Sequence, residues 1–447
     1  MRRSLSALLA LFLLAPAVRA QRRPLSLDEA VAAAHEASPA LHASRMKAEA
    51  SAARNREVAA SRLPSLRLGA GYTRLSEVPP FEVTLPVSPT PIVVSQNYFN
   101  NWNLRLAVQQ PVFTGFRLEA GAESARMLER SAGFDLAKDR SELVFAVKSA
   151  YWGLARAREY EAVVAEMVAQ VREHLKDVRA FYDQGLLVKN EVLRTEIQLS
   201  NAELAGIDAQ NAAEVARTAL NSLIGLPVGT DLELTTSAES QASRAPGPAG
   251  AGGEAEAAQA LLDTALAGRP EIQAAEYRIK ASEAGLKAAK AGWYPQVSLA
   301  GNFYYLRPNA RYMPALDRFK STWDVGIAVS FDVWNWGQTK NQAEQARAQL
   351  AQARDARELL EDQAVLEVTQ CRLALTQAGR KIEVAAAAVG QADENLRLVR
   401  ERFRQGVALN ADVLDAEVFL LQARTAKVQA AIDFVLAQAR LEKALGN

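Results

Sequence analysis

The stretch RFRQGVALNADVLDAE, Arg402–Glu417, has an imperfect twin, FYDQGLLVKNEVLRTE, at Phe181–Glu196. Both copies run from an aromatic residue through Gln-Gly to an acid followed by Val-Leu, and close on Glu. Gln-Gly after a helix-favouring run reads as a helix end, because the residue that terminates a helix commonly needs positive φ. The spacing of the glycines, 406 − 185 = 221, recurs elsewhere. It relates Trp102 to Trp323, AESAR (122–126) to AEQAR (343–347), Leu193 to Leu414 and Gly225 to Gly446. Nearer the N-terminus Pro39 matches Pro270 and Pro64 matches Pro295, at 231. The first copy therefore holds ten extra residues between Pro64 and Trp102, in the Pro-rich piece EVPPFEVTLPVSPTPIVV (77–94). The chain is a tandem duplication.

The expected organisation follows from that period. An export signal covers 1–20, with Arg2 and Arg3, the apolar run Leu5–Leu14 and the small-residue site Val18-Arg19-Ala20. The first repeat is 21–230, a Gly/Pro/Ala/Ser-rich linker is 231–257, and the second repeat is 258–447. Each repeat has one grammar: a helix of about 36 residues, two alternating runs, a Pro-free helical run of about 68 residues, the Gln-Gly turn and a helix of about 38. In copy one the first helix is expected over Leu27–Arg62. The run of about 68 residues is long enough, without internal caps, to need a coiled-coil partner, and its abundant Ala lets helices approach closely.

The alternating runs read as strands. Leu66, Leu68, Ala70 and Tyr72 oppose Arg67, Gly69, Gly71 and Thr73. Trp102, Leu104, Leu106 and Val108 oppose Asn103, Arg105 and Ala107. The second copy repeats this at 297–305 and 323–331, where Asn302 and Asp324 oppose Phe303 and Trp323. Nine to eleven residues is about the length of a tilted strand that crosses a bilayer. Tyr72, Trp102, Tyr305 and Trp323 near the strand ends fit an aromatic membrane-interface girdle, joined by Tyr304, Trp334 and Trp336. Four strands cannot close a barrel, and a bilayer forbids open edges, so several chains must share one barrel. Two chains give a filled eight-stranded interior; three give twelve strands and a passage. The expected fold is α+β: a long α-helical coiled-coil barrel plus four β-strands per chain, forming a shared 12-stranded trimeric transmembrane β-barrel.

These residues resemble the TolC-like outer membrane factor family over nearly the whole mature chain, from LSLDEAVAAAHEASPAL to LEKALGN. The resemblance implies an outer-membrane exit duct of a tripartite efflux pump or type I secretion system. It implies a homotrimer in outer-membrane lipid, a periplasmic adaptor and an inner-membrane transporter as partners, and a large periplasmic extension. Gln184-Gly185-Leu186 and Gln405-Gly406-Val407 match the tip turns where adaptor helices bind. Asp412 and Asp415 match the paired aspartates that ring the periplasmic entrance. Well-known members carry Tyr and Arg latch residues where this chain has Phe403 and Ala408.

From the residues alone, Asp412 and Asp415 read equally well as first-turn acids complementing the helix dipole, with Asn410 as the cap. Glu191, opposite Asp412 in the repeat, suits the same explanation.

Composition narrows the alternatives. A net charge of +1 gives no bulk attraction for nucleic acid. Three His and one Cys offer no metal constellation, no cofactor motif stands out, and no Ser-His-Asp pattern suggests an enzyme. The competing non-transport reading is a coiled-coil envelope spacer or adhesin. It has no need of polar strand faces or of two matched halves.

Overall fold

A computed structural model describes residues 23–84, 86–87, 90–95, 97–238, 241 and 254–446. The export signal and most of the linker lie outside the described residues. The chain divides into two compact units. One holds the chain up to Ser44, Leu136–Pro270 and the chain from Glu361; the other holds Arg45–Asp135 and Glu271–Leu360.

The elements follow the duplicated grammar. In copy one β1 (Arg23–Leu25) precedes α1 (Leu27–Ala37) and α2 (Pro39–Ala60). Strands β2 (Ser65–Arg74), β3 (Phe81–Val83), β4 (Ile92–Ser95) and β5 (Asn100–Phe113) come next. Helices α3 (Arg117–Asp183) and α4 (Lys189–Leu223) complete the copy. After β6 (Leu232–Leu234), copy two gives α5 (Glu254–Gly268), α6 (Pro270–Ala289), β7 (Gln296–Arg307), β8 (Lys320–Ser330), α7 (Gln338–Arg404) and α8 (Asn410–Ala444). The long helices α3 and α7 are each 67 residues, and α4 and α8 each 35, so the repeat is kept to the residue.

Three details differ from the sequence reading. The first helix of each copy is broken, at Ser38/Pro39 and at Arg269/Pro270, because proline lacks the N–H that would continue the ladder and clashes with the preceding turn. Ser38 caps the new start, its Oγ accepting from the Leu41 N–H at 3.3 Å. The linker is shorter than 231–257: Leu232–Leu234 pairs in parallel with Arg23–Leu25, and α5 already begins at Glu254. The region of the ten extra residues contains a small antiparallel pair, β3 with β4.

One unit is helical apart from the β1–β6 pair. Its main core joins Leu25, Ala30, Ala34, Val147, Tyr151, Trp152, Leu154, Leu220 and Leu232. The Tyr151 hydroxyl donates to the Leu25 carbonyl at 3.1 Å and ties the strand pair to α3. The other unit contains an antiparallel sheet in the order β2-β5-β7-β8. In register, Leu68, Leu106, Phe303 and Trp323 form one rung, and Arg67, Ala107, Asn302 and Asp324 form the rung facing the other way. The apolar face is exposed along its length, with Leu66, Leu68, Leu104, Val325, Ile327 and Val329 all open. A soluble sheet would bury such a face.

The strand-to-helix corners repeat as well. Gly115 and Phe116 take φ of +60° and +67°; their equivalents Trp336 and Gly337 take +52° and +79°. Two successive left-handed residues make the turn. Each copy places its glycine at a different one of the two, and puts an exposed aromatic at the other.

Candidate functional site

Both tip turns fold alike. The Gly185 N–H donates to the Tyr182 carbonyl at 2.8 Å and the Leu186 N–H to the Phe181 carbonyl at 2.9 Å. The Gly406 and Val407 N–H groups reach the Phe403 and Arg402 carbonyls at 2.9 Å each. These are paired Schellman closures, and the glycines supply the left-handed residue at φ +75° and +74°. Four apolar side chains flank the turns at repeat-equivalent positions and face solvent: Leu186 (68% exposed), Val188 (65%), Val407 (73%) and Leu409 (71%). Sequence reasoning named Leu186 and Val407 and missed Val188 and Leu409. The signal was their apolar character beside a turn that is otherwise open.

Asp412 and Asp415 are exposed on one face of the first turns of α8. Asp412 also does local work, its Oδ2 accepting from the Leu409 N–H at 2.9 Å. Leu409 holds the N-cap position and Asn410 is the first helical residue, so Asn410 is not the cap that its residue type suggested. Asn410 is instead buried, as are His174 and Thr195, and its side chain binds the first hairpin. The copy-one counterparts Glu191 and Arg194 stand 3.8 Å apart as an i,i+3 pair rather than as a doubled acid.

Phe403 and Ala408, where the family's latch residues would stand, both join an apolar cluster with Val178, Leu396, Val413, Ala416 and Leu420. The Phe403 ring lies 5.1 Å from His174 and 5.5 Å from Phe181. Beside it Arg404 donates to Asp177 at 3.2 Å. Burial pushes the His174 imidazole below its ordinary range. The bond to Asn410 and the charge of Asp177 pull it back up, while Arg400 and Arg404 push it down further. The tip of one hairpin is thus attached to the other by an apolar core, a buried polar cluster and a surface ion pair.

The four aromatics expected at a membrane interface share the apolar face of the sheet. Tyr72 and Trp102 are directly opposed, with ring centroids 4.5 Å apart, and the Tyr72 hydroxyl donates to Asn100 Oδ1 at 2.9 Å. Tyr305 stacks on Phe319 at 5.0 Å, and Trp323 pairs with Phe303. All four lie toward the end of the sheet away from the strand-to-helix corners. A second group, Phe116, Trp293, Tyr294, Trp334 and Trp336, is exposed at those corners. Phe116 stands edge-on to Tyr294 at 5.8 Å, and Trp334 to Trp336 at 5.8 Å. Trp293 and Tyr294 were missed because they precede the strand rather than alternate within it. On the opposite face Arg105 Nη2 donates to Asn302 Oδ1 at 2.7 Å, and Asn302 Nδ2 to Asp324 Oδ1 at 2.7 Å. This polar relay spans three strands.

Among the described residues no helix is long and apolar enough to cross a membrane. The features together define a duplicated chain with one lipid-compatible sheet and long helical hairpins that end in matched turns. A family profile described as outer membrane efflux protein matches residues 30–226 and 261–447, and the chain belongs to that family. It resembles the outer membrane efflux protein BepC of Brucella suis, 26% identical over 361 residues, which cover 78% of this chain and 73% of BepC. It also resembles the alkaline protease secretion protein AprF of Pseudomonas aeruginosa, 23% identical over 349 residues, covering 77% and 69%. The fold matches the Campylobacter jejuni CmeC outer membrane channel with a TM-score of 0.79 at 16% identity, covering 94% of this chain and 85% of that one. The chain is an outer-membrane exit component of an export pathway.

Proposed function

We propose that three copies of this chain share one twelve-stranded barrel in the outer membrane and continue it into the periplasm with their helical hairpins. Substrates handed over by an inner-membrane transporter and a periplasmic adaptor leave through this duct, in efflux or type I secretion. The duct conducts passively and performs no reaction. The observation that carries this reading is the sheet. It ends on two unpaired edges, β2 and β8, and exposes one face that is apolar over its middle rungs. In hydrocarbon each unpaired backbone group costs several kcal/mol, so closure by further copies is the arrangement that satisfies both edges. The polar relay of Arg105, Asn302 and Asp324 suits a wet interior.

Asp412 and Asp415 of three chains would ring the periplasmic entrance with six carboxylates, a cation-favouring constriction. The turns at Gln184-Gly185-Leu186 and Gln405-Gly406-Val407 would take the adaptor, whose helices would cover the four exposed apolar side chains. Tyr72, Trp102, Tyr305 and Trp323 would sit at the outer lipid interface.

The test is the native mass of the detergent-solubilised complex together with ion conductance in planar bilayers. A mass of three chains with measurable conductance is expected. A mass of two or four chains overturns the barrel count, and a non-conducting trimer favours an envelope spacer.

A further inference from the structure

Asn410 opens α8, yet its side chain serves the other hairpin. It is 3% exposed. Its Nδ2 donates to Glu191 Oε2 at 3.0 Å, to the Glu191 carbonyl at 3.3 Å and to Thr195 Oγ1 at 3.1 Å. The Thr195 hydroxyl donates in turn to the Glu191 carbonyl at 3.0 Å. On the far side His174 Nε2 lies 2.7 Å from Asn410 Oδ1. An amide oxygen only accepts, so His174 carries its proton on Nε2. One side chain of the second hairpin is therefore bonded to three residues on two helices of the first, and Asn410, Thr195 and His174 are all buried. Separating them would strand buried polar groups at about 1–3 kcal/mol each.

Duplication does not account for this cluster. The copy-one equivalent of Asn410 is Lys189, and the copy-two equivalents of Thr195 and His174 are Ala416 and Asn395, so the arrangement occurs once per chain. It sits two residues from Asp412 and five from Asp415. It also lies against Phe403, in the region where the chain lacks the expected Tyr and Arg latch residues.

We propose that Asn410 is the positioning residue of the gate. By clasping Glu191, Thr195 and His174 it fixes the first turn of α8, and with it Asp412 and Asp415, in the resting duct, and the entrance widens when this clasp parts. The proposal rests on the duct reading above. Its chemistry also makes the clasp acid-sensitive. An imidazolium at His174 would lie buried beside Arg400 and Arg404 of α7. The bond to Asn410 and the charge of Asp177 on α3 offset only part of that cost. The added proton goes to Nδ1 and leaves the Nε2–H bond to Asn410 in place, so acid acts through the buried charge, which weakens the packing around the clasp.

The experiment compares resting conductance of wild-type trimers with Asn410→Ala, Thr195→Val and the double variant Asp412→Ala with Asp415→Ala, at neutral pH and at about pH 5. Losing one buried partner should raise the open fraction about tenfold in Asn410→Ala and Thr195→Val. The wild type should open on acidification, and the Asn410→Ala profile should be flat. Thr195→Val keeps the side-chain shape and carries the test should Asn410→Ala fail to assemble. A lowered melting temperature with wild-type conductance and a wild-type pH profile would mean a merely structural role and overturn the proposal. Opening by the aspartate variant alone would also overturn it while leaving the duct intact. Silence from every variant would instead count against the duct itself.

Discussion

Arg400 donates to Glu417 across 2.8 Å, and the same bridge is written 221 residues earlier, where Arg179 meets Glu196 at 2.6 Å. The two copies differ in water. The Glu417 side chain is 0% exposed and that of Glu196 is 39% exposed. Removing the partner of a buried charge strands it, at about 3–5 kcal/mol, whereas an exposed pair contributes about 0–1 kcal/mol. Arg400→Ala should therefore destabilise by several-fold more than Arg179→Ala when both are melted in detergent. Equal losses would show that Glu417 is relieved by some other means. Glu417 Oε2 already lacks a partner, and burial holds this carboxyl above its ordinary range against the pull of Arg400.

A neighbouring group gives the pH dependence its sign. His174 is depressed by burial, so the folded chain prefers it neutral. Its contribution to stability is complete above the unfolded value of about 6.5 and is lost as pH falls below that toward the folded value. Glu417 acts the other way. Its raised carboxyl stabilises below the unfolded value near 4.5 and the benefit is lost as pH rises through the folded one. Melting wild type and His174→Gln from about pH 7.5 to about pH 5 separates the two. The wild type should lose more stability than the variant over that interval, and parallel curves would refute the assignment.

The strand-to-helix corners give a ranked pair. A Cβ on Gly115 would meet the Ala291 carbonyl oxygen at 2.5 Å as well as the strain of φ +60°. A Cβ on Gly337 meets nothing within 4 Å, leaving the left-handed strain alone. That strain is about 1–2 kcal/mol for a non-glycine residue. Gly337→Ala should cost about that much in chemical unfolding, and Gly115→Ala distinctly more because backbone must move.

These comparisons mark what the sequence could disclose. The repeat, the long helices, the two faces of each strand and the tip glycines were legible because periodicity and φ requirements are local. Phe116 and Trp336 were not recognised as left-handed, because neither is the residue type that usually takes that conformation. The clasp was invisible for a different reason. Asn410 lies 236 residues from His174, 219 from Glu191 and 215 from Thr195. Before a helix, Asn reads locally as a cap, and only the tertiary fold reveals that Leu409 takes that place. The break at Pro39 was legible in principle. Continuous helical composition on both sides masked it.

The exposed tip residues allow function to be separated from folding. Val407 and Leu409 are open to solvent and belong to none of the apolar clusters, so charging them should leave the chain's own packing intact. An adaptor that covers them would have to bury the new charges, which is strongly unfavourable without partners. Val407→Asp with Leu409→Asp should therefore abolish export in cells and in-cell cross-linking from the tip, while the yield of assembled protein and its melting temperature stay at wild-type values. The matching change in copy one, Leu186→Asp with Val188→Asp, tests whether both turns are occupied. Full export with either pair would exclude that turn from the docking surface, and loss of the assembled form would assign these side chains to assembly instead.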